Sequence, residues 1–129
     1  MALAEATSYN FQVNAISRYI PERSDKKVPV YFFAYWITIK NKGDSPAKLI
    51  NRFWNITDAH GRVNEVKGEG VVGKQPVILP GKEFEYNSFC PLPTEFGFMQ
   101  GFYEMCREDN TLFKITIPQF RLAAPNSAN

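Results

Sequence analysis

The segment Gly68-Glu-Gly-Val-Val-Gly-Lys74 has the residue types and spacing that most suggest chemistry in this chain. It matches G-x-G-x-x-G and also the first seven positions of G-x-x-x-x-G-K-[ST], two patterns that cradle phosphate. In such loops glycine lets backbone N–H groups close on phosphate oxygens, a following helix adds its positive dipole end, and the closing hydroxyl holds magnesium. Position 75 is Gln, and Pro76 and Pro80 bracket Val77-Ile-Leu79, so neither hydroxyl nor helix is at hand. What remains for a phosphate or nucleotide is a nest of N–H groups around Gly68, Gly70 and Gly73, with the ammonium of Lys74. The competing expectation is that these glycines serve a bulge and close strand packing.

Catalytic sets are harder to assemble. His60 is the single histidine and falls in Asp58-Ala-His-Gly61, a hairpin-turn sequence where an imidazole is solvated and lacks an orienting partner. Cys90 and Cys106 form no C-x-x-C pair, so neither a zinc knuckle nor a disulfide framework is indicated, and both are expected to act as small hydrophobes. Glu83 and Glu85 share one strand face, the ordinary wet side of a sheet. Asn55-Ile-Thr57 fits a glycosylation sequon inside a strand pattern. The expectation is therefore no catalytic residue, no metal site, no cofactor and no enzyme activity.

Strands must position whatever site exists. Tyr9, Phe11, Val13 and Ala15 alternate with polar residues, and Val30–Asn41 places Tyr31, Phe33, Tyr35, Ile37 and Ile39 on one face. Phe32, Ala34 and Trp36 lie on the opposite face, which predicts a central strand covered on both sides at its start. Further strands are predicted over 47–58, 62–67, 77–79, 82–88, 98–105 and 112–122. The punctuation between them is Lys42-Gly-Asp-Ser-Pro46, Asp58-Ala-His-Gly61, Pro80-Gly81 and Arg107-Glu-Asp-Asn110. Seven to eight strands without a crossover helix describe an all-β antiparallel sandwich. A doubly wound nucleotide-binding sheet is excluded by the same absence.

Composition sets the remaining bounds. The 129 residues make one domain, 1–129, with an ordered core of about 9–125 and flexible tails; they are 44% hydrophobic and 15% aromatic. A net charge of +2 and a single basic stretch, Arg23-Ser-Asp-Lys-Lys27, which also holds an aspartate, disfavour nucleic acid as partner. No apolar run is long enough for a membrane span. Sparse cysteine and no secretory start point to an intracellular, cytoplasmic protein; a trimmed presequence would leave a mitochondrial location open.

Several linked motifs then coincide: Tyr31-Phe-Phe-Ala-Tyr35, Arg52-Phe-Trp-Asn-Ile-Thr57, the glycine segment 68–76, Pro80-Gly81, Phe84-Glu-Tyr86, Gly97-Phe-Met-Gln-Gly-Phe-Tyr-Glu-Met105 and Ile117-Pro-Gln-Phe-Arg-Leu-Ala123. In this order they resemble the ApaG domain family, over about 9–125. The resemblance implies an immunoglobulin or fibronectin type III-like sandwich and a protein-binding module without established catalytic residues. Members occur as free bacterial proteins, within F-box proteins and in a polymerase-interacting protein. For bacterial members it also implies an association with cobalt resistance and magnesium efflux, and for the glycine segment a suggestion of pyrophosphate or nucleotide binding. The expected partner is another protein, with a homodimer left open.

Overall fold

In a computed structural model, which describes residues 3–125, nine strands are found among the described residues. They are β1 (Ala4–Ser8), β2 (Phe11–Tyr19), β3 (Tyr31–Asn41), β4 (Ala47–Asp58), β5 (Val63–Glu69), β6 (Val77–Ile78), β7 (Glu83–Leu92), β8 (Phe96–Arg107) and β9 (Leu112–Ala123). One sheet has the order β1-β2-β3-β7 and the other β5-β4-β8-β9, with β6 pairing β4 beyond the end of β5; every pairing is antiparallel. The antiparallel sandwich expected from the strand pattern is what forms.

The two-residue period on β3 decides the packing. Tyr31, Phe33, Tyr35, Ile37 and Ile39 are all buried, facing Trp54 on β4, Met99, Tyr103 and Met105 on β8, and Ile115, Ile117 and Phe120 on β9 within one core cluster. Tyr35, Trp54 and Phe120 meet as an aromatic trio with centroids 5.5–5.9 Å apart, a geometry that adds edge-to-face attraction to area burial. Buried Asn41 is satisfied: its Nδ2 donates to the carbonyls of Ser45 and Ile78 while its Oδ1 accepts from the Gly43 N–H.

Three expectations change. The ordered chain begins before Tyr9, because Ala4–Ser8 pairs with β2 and Ser8 Oγ accepts the Thr116 N–H of β9. Tyr9 is not a strand residue: Tyr9 and Asn10 form a two-residue hairpin with φ of 49° and 67°, a left-handed conformation that asparagine tolerates, and Tyr9 is 65% exposed. Trp36, expected under cover, is 40% exposed, because among the described residues no element covers that part of the outer face of β3. The tail 126–129 lies outside the described residues.

The two rims of the sandwich differ. On one side β1 and β2 close onto β9, with Ser17 Oγ donating to the Arg121 carbonyl. On the other, the sheets end in β7 and β5, and a cleft opens between those edges.

Candidate functional site

The glycine segment connects β5 to β6 and is a compact hairpin. Val71 N–H donates to the Lys74 carbonyl and Lys74 N–H to the Val71 carbonyl, at 2.8 and 2.9 Å. Val72 and Gly73 sit between them at φ of 44° and 78°, the signature of a primed two-residue turn. Gly70, at φ 61°, donates its N–H to the Ile50 carbonyl, and a Cβ there would lie 2.1 Å from the Lys74 carbonyl oxygen. Three N–H groups of the would-be nest, those of Gly70, Val71 and Lys74, are thus already committed to carbonyls. The Lys74 side chain is exposed.

Gly68 has a different task. It lies opposite Arg52 in the β4–β5 register, and the guanidinium of Arg52 rests where a Cβ of residue 68 would be, 2.7–2.8 Å from it. Arg52 Nη1 donates to the carbonyls of Glu69 and Gly70, both at 3.0 Å, so the arginine braces the glycine hairpin from inside. Among the described residues neither Nε nor Nη2 has a protein acceptor, and no carboxylate pairs with this half-buried cation.

Arg52 stands at the junction of two hollows. One, of about 540 Å³, runs between β5 and β7 and is floored by Tyr35, Trp54, Ile56 and Met99, with Pro91 and Val66 on its walls. The other, of about 300 Å³, lies under the hairpin between Val72 and Tyr86; Tyr35, Arg52 and Ser88 line both. Arg62 marks the far end of the larger cleft. There Asp58 Oδ1 accepts the N–H groups of His60 and Arg62 and so caps the β4–β5 turn, in which Gly61 takes φ 82°. His60 is an exposed turn residue whose backbone, rather than its imidazole, is held.

Burial controls the ionisable groups here. Burial raises the Tyr35 phenol, against smaller lowering influences from the Ser88 hydroxyl and Arg52. Tyr86 and Tyr103, hydrogen-bonded to each other through their hydroxyls, are both raised chiefly by burial. Burial also pushes the Cys90 thiol up to about 12, which keeps it protonated and poorly nucleophilic near neutrality. Cys90 and Cys106 are free thiols. Among the described residues no group of three or more His, Cys, Asp or Glu side chains is placed to hold a metal ion. Glu83 and Glu85 are exposed, and among the described residues no helix is long and apolar enough to cross a membrane.

A second surface lies on the outer face of the four-stranded sheet. Register places Ile16 beside Trp36, Ala34 beside Phe89, and Phe32 beside Pro91. Phe89 is 47% exposed and packs against Phe32 at 5.9 Å, and the Arg23 guanidinium covers both rings at 4.3 and 5.3 Å. The basic stretch 23–27 thus has its arginine engaged with aromatic rings. On the outer face of the other sheet, Phe53 and Phe102 stack on one another at 4.4 Å, and the Lys114 ammonium lies over Phe102 at 4.7 Å. Phe89 and Pro91 also line the large cleft, so the aromatic face and the cleft meet along β7.

Sequence reading singled out Gly68, Gly70, Gly73 and Lys74; the structure sets Gly68 and Gly70 against Arg52 and Gly73 on the hollow it lines, leaves the Lys74 side chain exposed, and commits the N–H groups of Gly70 and Lys74 to carbonyls. It passed over Arg52 and Arg62 as site residues. The available signal was an inward-facing series, Arg52, Trp54, Ile56 and Asp58, in which a cation occupies an apolar register position.

Comparison with known proteins places these features among relatives. The family model described as the ApaG domain matches residues 21–107. A protein named ApaG from Dechloromonas aromatica is 46% identical, with 97% of this chain and 98% of the relative aligned. Another, from Rhodopseudomonas palustris, is 48% identical over 93% of this chain and 92% of the relative. A crystal structure of an ApaA protein from Bordetella pertussis superposes with a TM-score of 0.87 at 47% identity, covering 92% of this chain and 97% of that one.

Proposed function

The chain belongs to the ApaG domain family, and on that footing we propose that it is a non-enzymatic protein-interaction module. The observation that carries this reading is the aromatic outer face of β3 and β7. Trp36 and Phe89 stand 40% and 47% exposed there, beside half-buried Phe32 and Ile16. Tryptophan and phenylalanine with a flanking arginine are the side chains that anchor protein interfaces, and here they share one rigid sheet face. The sandwich fits the immunoglobulin or fibronectin type III class, whose sheets and loops serve many binding modules. Free thiols at Cys90 and Cys106 support a reducing, cytoplasmic setting.

The geometry gives an enzyme little to work with. The one histidine is in a solvated turn, and the buried phenols and the Cys90 thiol are held protonated. The test is affinity purification of the tagged chain from its own cells, followed by mass spectrometry, in parallel with Trp36→Ala. A partner enriched with the parent chain and at least about tenfold depleted with the variant is expected, since truncating an interface tryptophan typically costs 2 kcal/mol or more. Equal recovery with both chains would refute the assignment of this face.

A further inference from the structure

The cleft between β5 and β7 is a feature that the outer-face interaction leaves unused. It combines a mostly apolar lining, Trp54, Ile56, Val66, Pro91 and Met99 among it, with a cation at either end, Arg52 and Arg62. At about 540 Å³ it lies in the range of ligand-binding clefts. The lone carboxylate in its lining, Asp58, is occupied in capping the turn. Arg52 is half-buried, spends Nη1 on two carbonyls and, among the described residues, finds no acceptor for Nε and Nη2. A guanidinium removed from water without a counter-charge is costly, and a carboxylate is the group its planar fork accepts best.

Dimensions narrow the occupant further. Arg62 follows the β4–β5 turn beside Asp58, six register positions along β4 from Arg52. That places the two cations roughly 20 Å apart along the strands, the reach of about six extended residues. The walls between them are edge strands of two different sheets, surfaces that accept an extended chain. A second, independent sign lies beside Arg52. Val72 is a β-branched residue held at φ 44°, 54% exposed, on the rim of the adjoining hollow. Asparagine or glycine would sit at this turn position with less strain, so the fold spends conformational energy to keep an apolar side chain at the rim.

We propose that this cleft is the docking groove for an extended segment of a partner protein, apolar in its middle and carrying carboxylates about six residues apart that pair with Arg52 and Arg62. The proposal rests on the interaction-module reading and adds to it the groove and the chemistry of the segment. Arg52 gives specificity for a planar carboxylate, the aromatic floor takes the apolar side chains, and Val72 covers the end of the segment beside Arg52.

The probe is a displayed library of random peptides of about seven residues, panned on the intact purified chain, with selected sequences remade as fluorescent peptides and titrated by anisotropy. Selected peptides are expected to carry Asp or Glu flanking an apolar stretch and to bind more weakly as salt rises. Affinity should fall at least about tenfold in Arg52→Gln, and Arg52→Lys should not restore it, because the ammonium lacks the fork. Arg62→Gln is the second variant: Arg62 is exposed and its side chain makes no hydrogen bond among the described residues, so a folded protein with several-fold weaker binding is expected even if Arg52→Gln unfolds. An empty selection, peptides without acidic residues, or affinities indifferent to both arginines would overturn the proposal. So would displacement of the peptide by inorganic pyrophosphate, which would make the site one for phosphate. Peptides lost in Trp36→Ala but indifferent to the arginines would remove the groove and leave the interaction module standing. Peptides that depend on the arginines, with no cellular partner that depends on Trp36, would leave the groove standing and remove the assignment of the Trp36 face.

Discussion

Replacing Gly70 with alanine should destabilise the domain by about 3 kcal/mol, and replacing Gly73 by only about 1 kcal/mol, although both glycines belong to one motif and both have positive φ. At either position alanine incurs ~1–2 kcal/mol for a left-handed backbone and regains ~0.4–1 kcal/mol by restricting the unfolded chain. At Gly73 nothing lies within 4 Å of the added Cβ, so the difference between those two is the whole effect. At Gly70 the Cβ would lie 2.1 Å from the Lys74 carbonyl oxygen, and the backbone must move. That movement breaks or stretches the Val71–Lys74 pair and the Gly70–Ile50 bond, each worth about 1 kcal/mol, and disturbs fully buried Val71. Urea denaturation of the two variants and the parent reads the difference directly, and Gly70→Ala should also melt roughly 10 °C lower. Equal losses at both positions would refute the account of Gly70 as a close-approach glycine. So would a loss at Gly73 as large as 3 kcal/mol, which would point to a backbone role for Gly73 that the hairpin does not give it.

Val72→Asn should stabilise by about 1 kcal/mol in the same assay, because asparagine accepts positive φ where valine is strained. Phe33→Ala, at a fully buried site, should cost about 3–5 kcal/mol, and a loss below about 1 kcal/mol would contradict the register of β3. Tyr103→Phe should cost about 1–3 kcal/mol by leaving the buried Tyr86 hydroxyl without its partner. The double variant with Tyr86→Phe should lose less than the two single losses together, which chemical denaturation of all four proteins tests. Stability should be level near neutrality and fall as pH rises from about 9 towards 12. Cys90 keeps its proton in the folded state and loses it at its ordinary value of 9.0 once unfolded, and the raised tyrosines steepen the decline above pH 10. A decline that begins only above about pH 10 in Cys90→Ala, beside a parent that falls from about pH 9, would assign the lower part of the slope to the thiol; equal slopes between about pH 9 and 10 would deny it.

The fold was legible because alternation is a direct record of which face is buried. The five inward residues of β3, the turn at Asp58–Gly61 with its positive-φ glycine and the Pro80-Gly81 turn all follow from local chemistry and all appear. Strand β1 was missed because Ala4-Glu-Ala-Thr-Ser8 alternates between small and polar side chains, whose burial comes from pairing with β2 rather than from their own hydrophobicity. Alternation places Trp36 on the outer face of β3 without saying whether anything packs over that face. The glycine segment was the hardest to read. Gly68, Gly70 and Gly73 fit a phosphate pattern by spacing, yet one makes room for Arg52, one for the Lys74 carbonyl and one for a tight turn. Spacing along the chain cannot tell these apart, because the neighbour that matters for Gly68 sits sixteen residues away on β4.

The central claim is that a protein partner covers the face around Trp36. A photo-crosslinking amino acid placed at position 36, and for comparison at exposed Glu65 on β5, tests it in living cells. One discrete adduct at position 36, identified by mass spectrometry and weak or missing at position 65, is the expected result. Irradiation that leaves the chain at its own mass at both positions, or yields the same diffuse products from both, would contradict the account.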